Sequence, residues 1–124
     1  MPLSRELQSQ LPAVAVQGII GSSAATVTAA GTTQATATVL SSQFSTVTTG
    51  GAAGAPFAGV ILPTTSQPGD DVDVMNATSV NICVYPPSGG KLNGLSANTP
   101  LVMAANRMHS FNSVDGTSWG VDSI

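Results

Sequence analysis

The sequence predicts an all-β fold, and three observations carry that prediction. Thr26-Val27-Thr28, Thr36-Ala37-Thr38 and Thr46-Val47-Thr48 recur every ten residues, and alternating Thr with Val or Ala is the period-2 pattern of strands with one face turned inward. Further short runs of β-branched and apolar residues are separated by Gly, Pro, Asn and Asp clusters. Strands at a spacing of 8–12 residues point to a sandwich or a barrel. The expected architecture is a small antiparallel β-sandwich or jelly-roll or barrel-like domain over residues 22–124. A short N-terminal arm, helical or extended, is expected over residues 1–21.

The arm differs from the rest. Leu3, Leu7 and Leu11 recur at i, i+4 and i+8, which places them on one helical face. Ser4 suits the N-cap, Glu6 the positive N-terminal end, and Pro12 stops the helix. A helix of two turns is not stable alone in water, so the leucine stripe has to dock, on the domain itself or on a neighbouring subunit. Ala13 to Val16 reads as a short extended run, and Gly18 and Gly21 bracket Ile19 and Ile20.

The Thr-x-Thr tract from Ser22 to Thr49 reads as a β-meander with turns at Gly31 and at Ser41-Ser42. Gly50 to Pro56 is too rich in glycine for a strand interior and reads as a loop. Phe57 to Leu62 is an apolar strand closed by Pro63. Pro68-Gly69-Asp70 is a turn, and Asp71 to Met75 alternates polar residues with Val. Ser79 to Tyr85 alternates again, with Val80, Ile82 and Val84 inward and Cys83 opposite. Pro86 to Gly90 breaks it, and Leu92 to Leu95 and Pro100 to Met103 are short extended pieces. Met108 to Asn112 and Ser118 to Val121 form a terminal pair joined by the Asp115-Gly116 turn.

Composition narrows the function. Only 7% of the 124 residues are charged and 4% are aromatic, although 42% are apolar, and 16 Ala and 13 Val make up more than half of that apolar set. Average soluble domains are about 25% charged. With so few large anchors, the core is expected to be completed by oligomerisation or by a larger surface. A net charge of −3 with only Arg5, Lys91 and Arg107 as basic residues leaves no footprint for nucleic acid. No apolar run approaches the roughly 20 residues of a membrane span, and Glu6 and Gln8 to Gln10 stand where a secretion signal needs an apolar core. The expectation is a soluble, non-catalytic protein made in the cytoplasm.

The residues that could carry chemistry do not form sites in the sequence. His109 lies beside Ser110 and ahead of Asp115, but neighbours on a strand point to opposite faces, so they form no local Ser-His-Asp set. Asp70, Asp71 and Asp73 lack the Gly and Glu that an EF-hand loop places sixth and twelfth, and read as a solvated strand start. Ser88-Gly89-Gly90-Lys91 fails as a phosphate loop, with Tyr85 where its first Gly belongs and Leu92 where Ser or Thr belongs. Lys91 reads as a loop-tip charge. Asn76-Ala77-Thr78 is a glycosylation sequon without a secretion signal, and the single cysteine, Cys83, reads as a small buried core residue. No cofactor and no metal site is expected.

The stretch from Val84 to Asn98, a strand ending in Pro86-Pro87-Ser88-Gly89-Gly90 followed by Leu92-Asn93-Gly94, resembles a pattern in small virion proteins of tailed bacteriophages. The closing Phe111, then Val114-Asp115-Gly116-Thr117-Ser118-Trp119, is similar to an ending of the same proteins. The resemblance spans Ser79 to Val121. It implies a small β-domain that decorates a capsid or belongs to a fibre or tail.

The expected function is that of a decoration (cement) protein, binding the major capsid protein at the capsid surface of the virion as a homo-oligomer, a trimer being favoured. Scarce charge lowers the desolvation cost of such contacts. Leu3, Leu7, Leu11, Val14 and Val16 are the candidate partner-binding residues. The alternatives are a fibre or tail-associated receptor-binding or adaptor protein, and an ice-binding protein using the Thr-x-Thr series.

Overall fold

The computed structural model describes residues 24–122. These form nine strands: β1 (Ala24–Thr28), β2 (Thr38–Val39), β3 (Phe44–Thr49), β4 (Gly59–Ile61), β5 (Asp71–Asn76), β6 (Ile82–Tyr85), β7 (Leu101–Met103), β8 (Arg107–Ser113) and β9 (Trp119–Val121). One 3-10 turn, Gln34–Thr36, precedes β2. A five-stranded sheet has the order β1-β3-β5-β8-β9, and a four-stranded sheet the order β2-β4-β6-β7. The two sheets enclose one main core, so the all-β, sandwich-like expectation holds at that level.

The antiparallel meander does not. From β1 to β6 the chain alternates strand by strand between the sheets, so neighbours within each sheet are parallel, β1 with β3 and β5, and β2 with β4 and β6. Only β7, β8 and β9 add antiparallel pairs, which makes both sheets mixed. The reason is visible in the Thr triplets. Thr26 and Val27 lie in register with Thr46 and Val47, residues twenty apart, while the intervening triplet leads into β2 of the other sheet. Ten residues are therefore one crossing between sheets, and twenty residues one circuit. A period-2 pattern fixes which face is inward but not which strand lies alongside.

Inward-facing residues fill the space between the sheets. The five-stranded sheet contributes Val47, Val72, Val74, Phe111 and Trp119, the four-stranded sheet Val60, Ile82, Val84, Leu101 and Met103, and connections add Leu40, Leu62 and Leu92. Trp119 and Phe111, at 1% and 0% exposure, are the largest of these, so two of the few aromatic residues anchor the core. Cys83 is buried, but not there. It faces outward from β6 and packs with Ala37, Ile61, Tyr85 and Phe57 in a satellite cluster. The Tyr85 hydroxyl donates to the Thr32 carbonyl at 3.4 Å and the Gln34 amide to the Pro86 carbonyl at 2.7 Å, which draws the 3-10 turn over this outer cluster.

Asn76 ties the layers together. Its buried amide group donates to the carbonyls of Val80 (2.8 Å), Met103 (3.3 Å) and Ala104 (3.1 Å), while its Oδ1 accepts from the Thr78 N–H (3.0 Å) and hydroxyl (2.7 Å). The end of β5 in one sheet is thus held against the start of β6 and the end of β7 in the other. At the far end, the Asp115-Gly116 turn joins β8 to β9 as the sequence indicates, and Gly116 adopts φ +93°. Leu92 to Leu95 is a turn rather than a strand, contributing a single bridge from Leu92 to Trp119.

Candidate interaction surface

Charge is distributed unevenly along the wound part of the fold. Among the described residues, every charged side chain lies at Asp70 or later, so β1, β2, β3 and β4 carry none. These four strands form one end of the molecule, where β1 and β2 are the edges of their sheets. The Thr38 hydroxyl donates to the Thr28 carbonyl at 2.6 Å, linking the two edges. Exposed edges are commonly protected by charge, proline or a bulge. Here the protection is slight: a register shift between Val27 and Thr28, and no charge or proline in either strand.

Among the described residues, the core is also less completely covered at this end. Val27 is half-buried, whereas its in-register neighbour Val47 is fully buried. Thr38 is half-buried, whereas Val60 and Val84, which continue its row across the sheet, are fully buried. Val39, one residue on and facing outward, is 53% exposed.

The outer face of the five-stranded sheet is uncharged over β1 and β3 and carries Asp71 and Asp73 on β5. One row runs Thr26, Thr46, Met75 and Met108, and the next runs Ala24, Phe44, Asp73 and Ser110. Met108 is 51% exposed. The row of Thr26 and Thr46 is two strands wide, because β5 supplies Met75 where a third threonine would stand. This falls short of the long flat array that ice binding requires.

The charged half of the surface is organised around turns. The Asp115 carboxylate accepts from the Ser118 N–H (2.7 Å) and from the N–H and hydroxyl of Thr117 (both 3.0 Å). These bonds, the one from Ser118 foremost, hold its carboxyl below the usual carboxylate range. Asp70 caps its own turn, accepting from the Gln67 N–H at 2.9 Å. Partial burial, with the Asp73 carboxylate nearby, pushes the Asp71 carboxyl up. Burial likewise raises the Cys83 thiol and the Tyr85 phenol, which stand near each other on the outer face of β6. Lys91 is exposed, as a loop-tip charge should be.

His109 finds a carboxylate, though not the one nearest in sequence. Its Nδ1 lies 3.0 Å from Oδ1 of Asp122, and its ring meets Phe111 edge-on at 6.5 Å. Ser45 shares its inward row with Val74 between them, two strand spacings or roughly 9.6 Å away. No hydroxyl nucleophile is thereby placed at the imidazole by Ser45 or Ser110. Among the described residues no group of three or more His, Cys, Asp or Glu side chains converges on a point where a metal ion could sit.

Of the candidate partner-binding residues, Leu3, Leu7, Leu11, Val14 and Val16 all fall outside the described residues. The sequence reading passed over the open edges of β1 and β2. The signal for them was present in the uninterrupted lack of charge before Asp70, but locating it at one end of the fold requires the parallel topology. The sequence matches no protein-family model, and no curated protein is significantly similar to it.

Proposed function

We propose that the protein is a structural component of a virion, a decoration protein that covers and stabilises an assembled capsid as an oligomer. The observation that carries this reading is the uncharged end of the fold, where the edge strands of both sheets meet among the described residues. Surfaces of this kind bind by backbone pairing and shape, with little charge to desolvate. The similarity of residues 79–121 to small tailed-phage virion proteins supports the same assignment. In this reading the β1 edge and the outer face of the five-stranded sheet meet the capsid protein or a neighbouring copy, and Leu3, Leu7 and Leu11 grip the shell. A three-fold assembly would cover the edges that the described residues leave open.

The experiment is co-sedimentation with purified heads of the encoding phage. The full chain should pellet with heads up to a saturating ratio and protect them against heat or chelation. Deletion of residues 1–12 should leave a folded domain that stays in the supernatant. Unchanged occupancy after that deletion would remove the arm from the account.

A fibre or tail-adaptor role is the second reading, favoured by the parallel winding, since stacked circuits extend along one axis. Such a protein would adsorb to bacterial cells and leave heads unprotected.

A further inference from the structure

The turn that follows Lys91 carries a reactive pair of residues on the flank of β9. Leu92 forms a parallel bridge with Trp119. Around it the Trp119 N–H donates to the Lys91 carbonyl (2.8 Å), and the Asn93 N–H donates to the Trp119 carbonyl (2.9 Å). The Asn93 side chain continues this short ladder. Its Oδ1 accepts from the Val121 N–H at 2.8 Å, and its Nδ2 donates to the Val121 carbonyl at 3.4 Å. The side-chain amide thus takes the place that the next peptide group of a neighbouring strand would fill.

The residue after it is Gly94. The chain has six asparagines, and Asn93 alone precedes a glycine, the others being followed by Ala, Ile, Thr, Arg or Ser. Asn93 and Gly94 are both exposed, and Asn93 holds φ +49°. The space where a Cβ on Gly94 would stand is open, so no neighbour crowds this stretch of backbone. Among the described residues the Gly94 N–H donates to no acceptor. The Val121 N–H points at Asn93 Oδ1, the atom on which negative charge gathers when Cγ becomes tetrahedral. A backbone donor at 2.8 Å is within the range that stabilises such an oxyanion. Asn76 offers the contrast, being buried with its amide held by three carbonyls.

We propose that Asn93-Gly94 is a site of spontaneous covalent modification, at which Asn93 is converted to aspartate and isoaspartate. The Gly94 nitrogen bonds to Asn93 Cγ and gives up its proton to solvent. The Cγ–Nδ2 bond breaks, and Nδ2 takes up a proton and leaves as ammonia, which completes a five-membered succinimide. Water then opens the ring at either carbonyl, giving Asp or an isoAsp whose main chain runs through the former side chain. The net change is one water consumed and one ammonia released. Both products lack Nδ2, so the Val121 carbonyl loses its donor and β9, which carries the core anchor Trp119, is held less firmly.

The test is ageing of the purified full-length chain in mildly alkaline buffer, followed by brief tryptic digestion and tandem mass spectrometry. Cleavage after Lys91 and Arg107 releases residues 92–107, which hold Asn93, Asn98 and Asn106. The mass gain of an amide-to-acid conversion should accumulate at Asn93, in two chromatographically distinct isomers, isoAsp and Asp. Gly94→Ala fits the open space and should slow the gain at least about tenfold, since a Cβ shields the attacking nitrogen. An unchanged rate in that variant, or Asp without isoAsp in the native chain, would overturn the ring-closing route. No gain at Asn93 in the folded chain, while a synthetic peptide of residues 92–107 ages, would overturn the site itself. Equal gain at Asn98 or Asn106 would do the same. Asn93→Asp reproduces one product and should lower the melting temperature, and an unchanged value would overturn the hold on β9. None of these readouts involves a capsid, so the proposal and the virion reading can fail separately.

Discussion

Replacing Asn76 with Ala would test how the two sheets are joined. The wild-type side chain is fully buried and makes five hydrogen bonds, three from its amide group and two to its Oδ1. The loss is not five times the value of one bond. The Val80 carbonyl keeps the Thr78 hydroxyl as a donor at 2.9 Å, and Ala104 is exposed, so water can serve its carbonyl. The N–H of buried Thr78 is left without its Asn76 acceptor, at about 1–3 kcal/mol. Loss of two well-formed bonds adds about 1 kcal/mol each. The expected destabilisation is therefore about 3–5 kcal/mol, a fall in melting temperature on the order of 10 °C or more. Urea unfolding followed by Trp119 fluorescence measures it. A loss below about 1 kcal/mol, with an unchanged m-value, would refute the claim that Asn76 is the polar tie between layers. Asn76→Asp gives the complementary result. A carboxylate facing carbonyl oxygens has its folded pKa raised, so that variant should be least impaired below the ordinary Asp value of about 3.9 and worsen as pH rises through the folded value.

Other perturbations read different parts of the fold. A Cβ at Gly90 would collide with the Thr117 carbonyl oxygen and lie 2.6 Å from its carbon, so Gly90→Ala should cost at least about 1–3 kcal/mol in chemical denaturation. Because the Asp115 carboxyl is held low, its contribution is complete above the ordinary carboxylate pKa and is lost as pH falls through the folded value. Asp115→Ala should accordingly lower the melting temperature at pH 7 and progressively less as the pH is lowered toward 2. Asp71 has the opposite sign, its raised carboxyl favouring the folded state at low pH, so Asp71→Asn should raise the melting temperature at pH 7 more than at pH 3. The buried Trp119 Nε1 has no hydrogen-bond partner among the described residues. Trp119→Phe should therefore cost less than the 3–5 kcal/mol typical of large aromatic truncations to Ala, since it removes an unsatisfied donor along with volume.

Much of the fold was legible because burial in strands follows a period of two. The inward set Ile82 and Val84, with Cys83 opposite, is where the alternation puts it, as are the β5 valines and the β8–β9 pair around Asp115-Gly116. Pairing partners were not legible. Thr26 beside Thr46 and Val60 beside Val84 are contacts between residues a full circuit apart, and short connections such as 40–43 serve a crossing between sheets as well as a hairpin. For the same reason the charge-poor tract was visible in the sequence, while its place at one end of two sheets was not. The His109 partner was missed because Asp122 reaches the imidazole only through the β8–β9 turn-back, whereas sequence proximity favoured Asp115.

The proposed virion role is tested most directly by the position of the protein on phage particles, seen by electron microscopy with the chain tagged at its C-terminus. The account predicts label distributed over the head at regular capsomer positions, and its loss when residues 1–12 are deleted. Label confined to the tail tip or fibres, or absent from particles altogether, would contradict it.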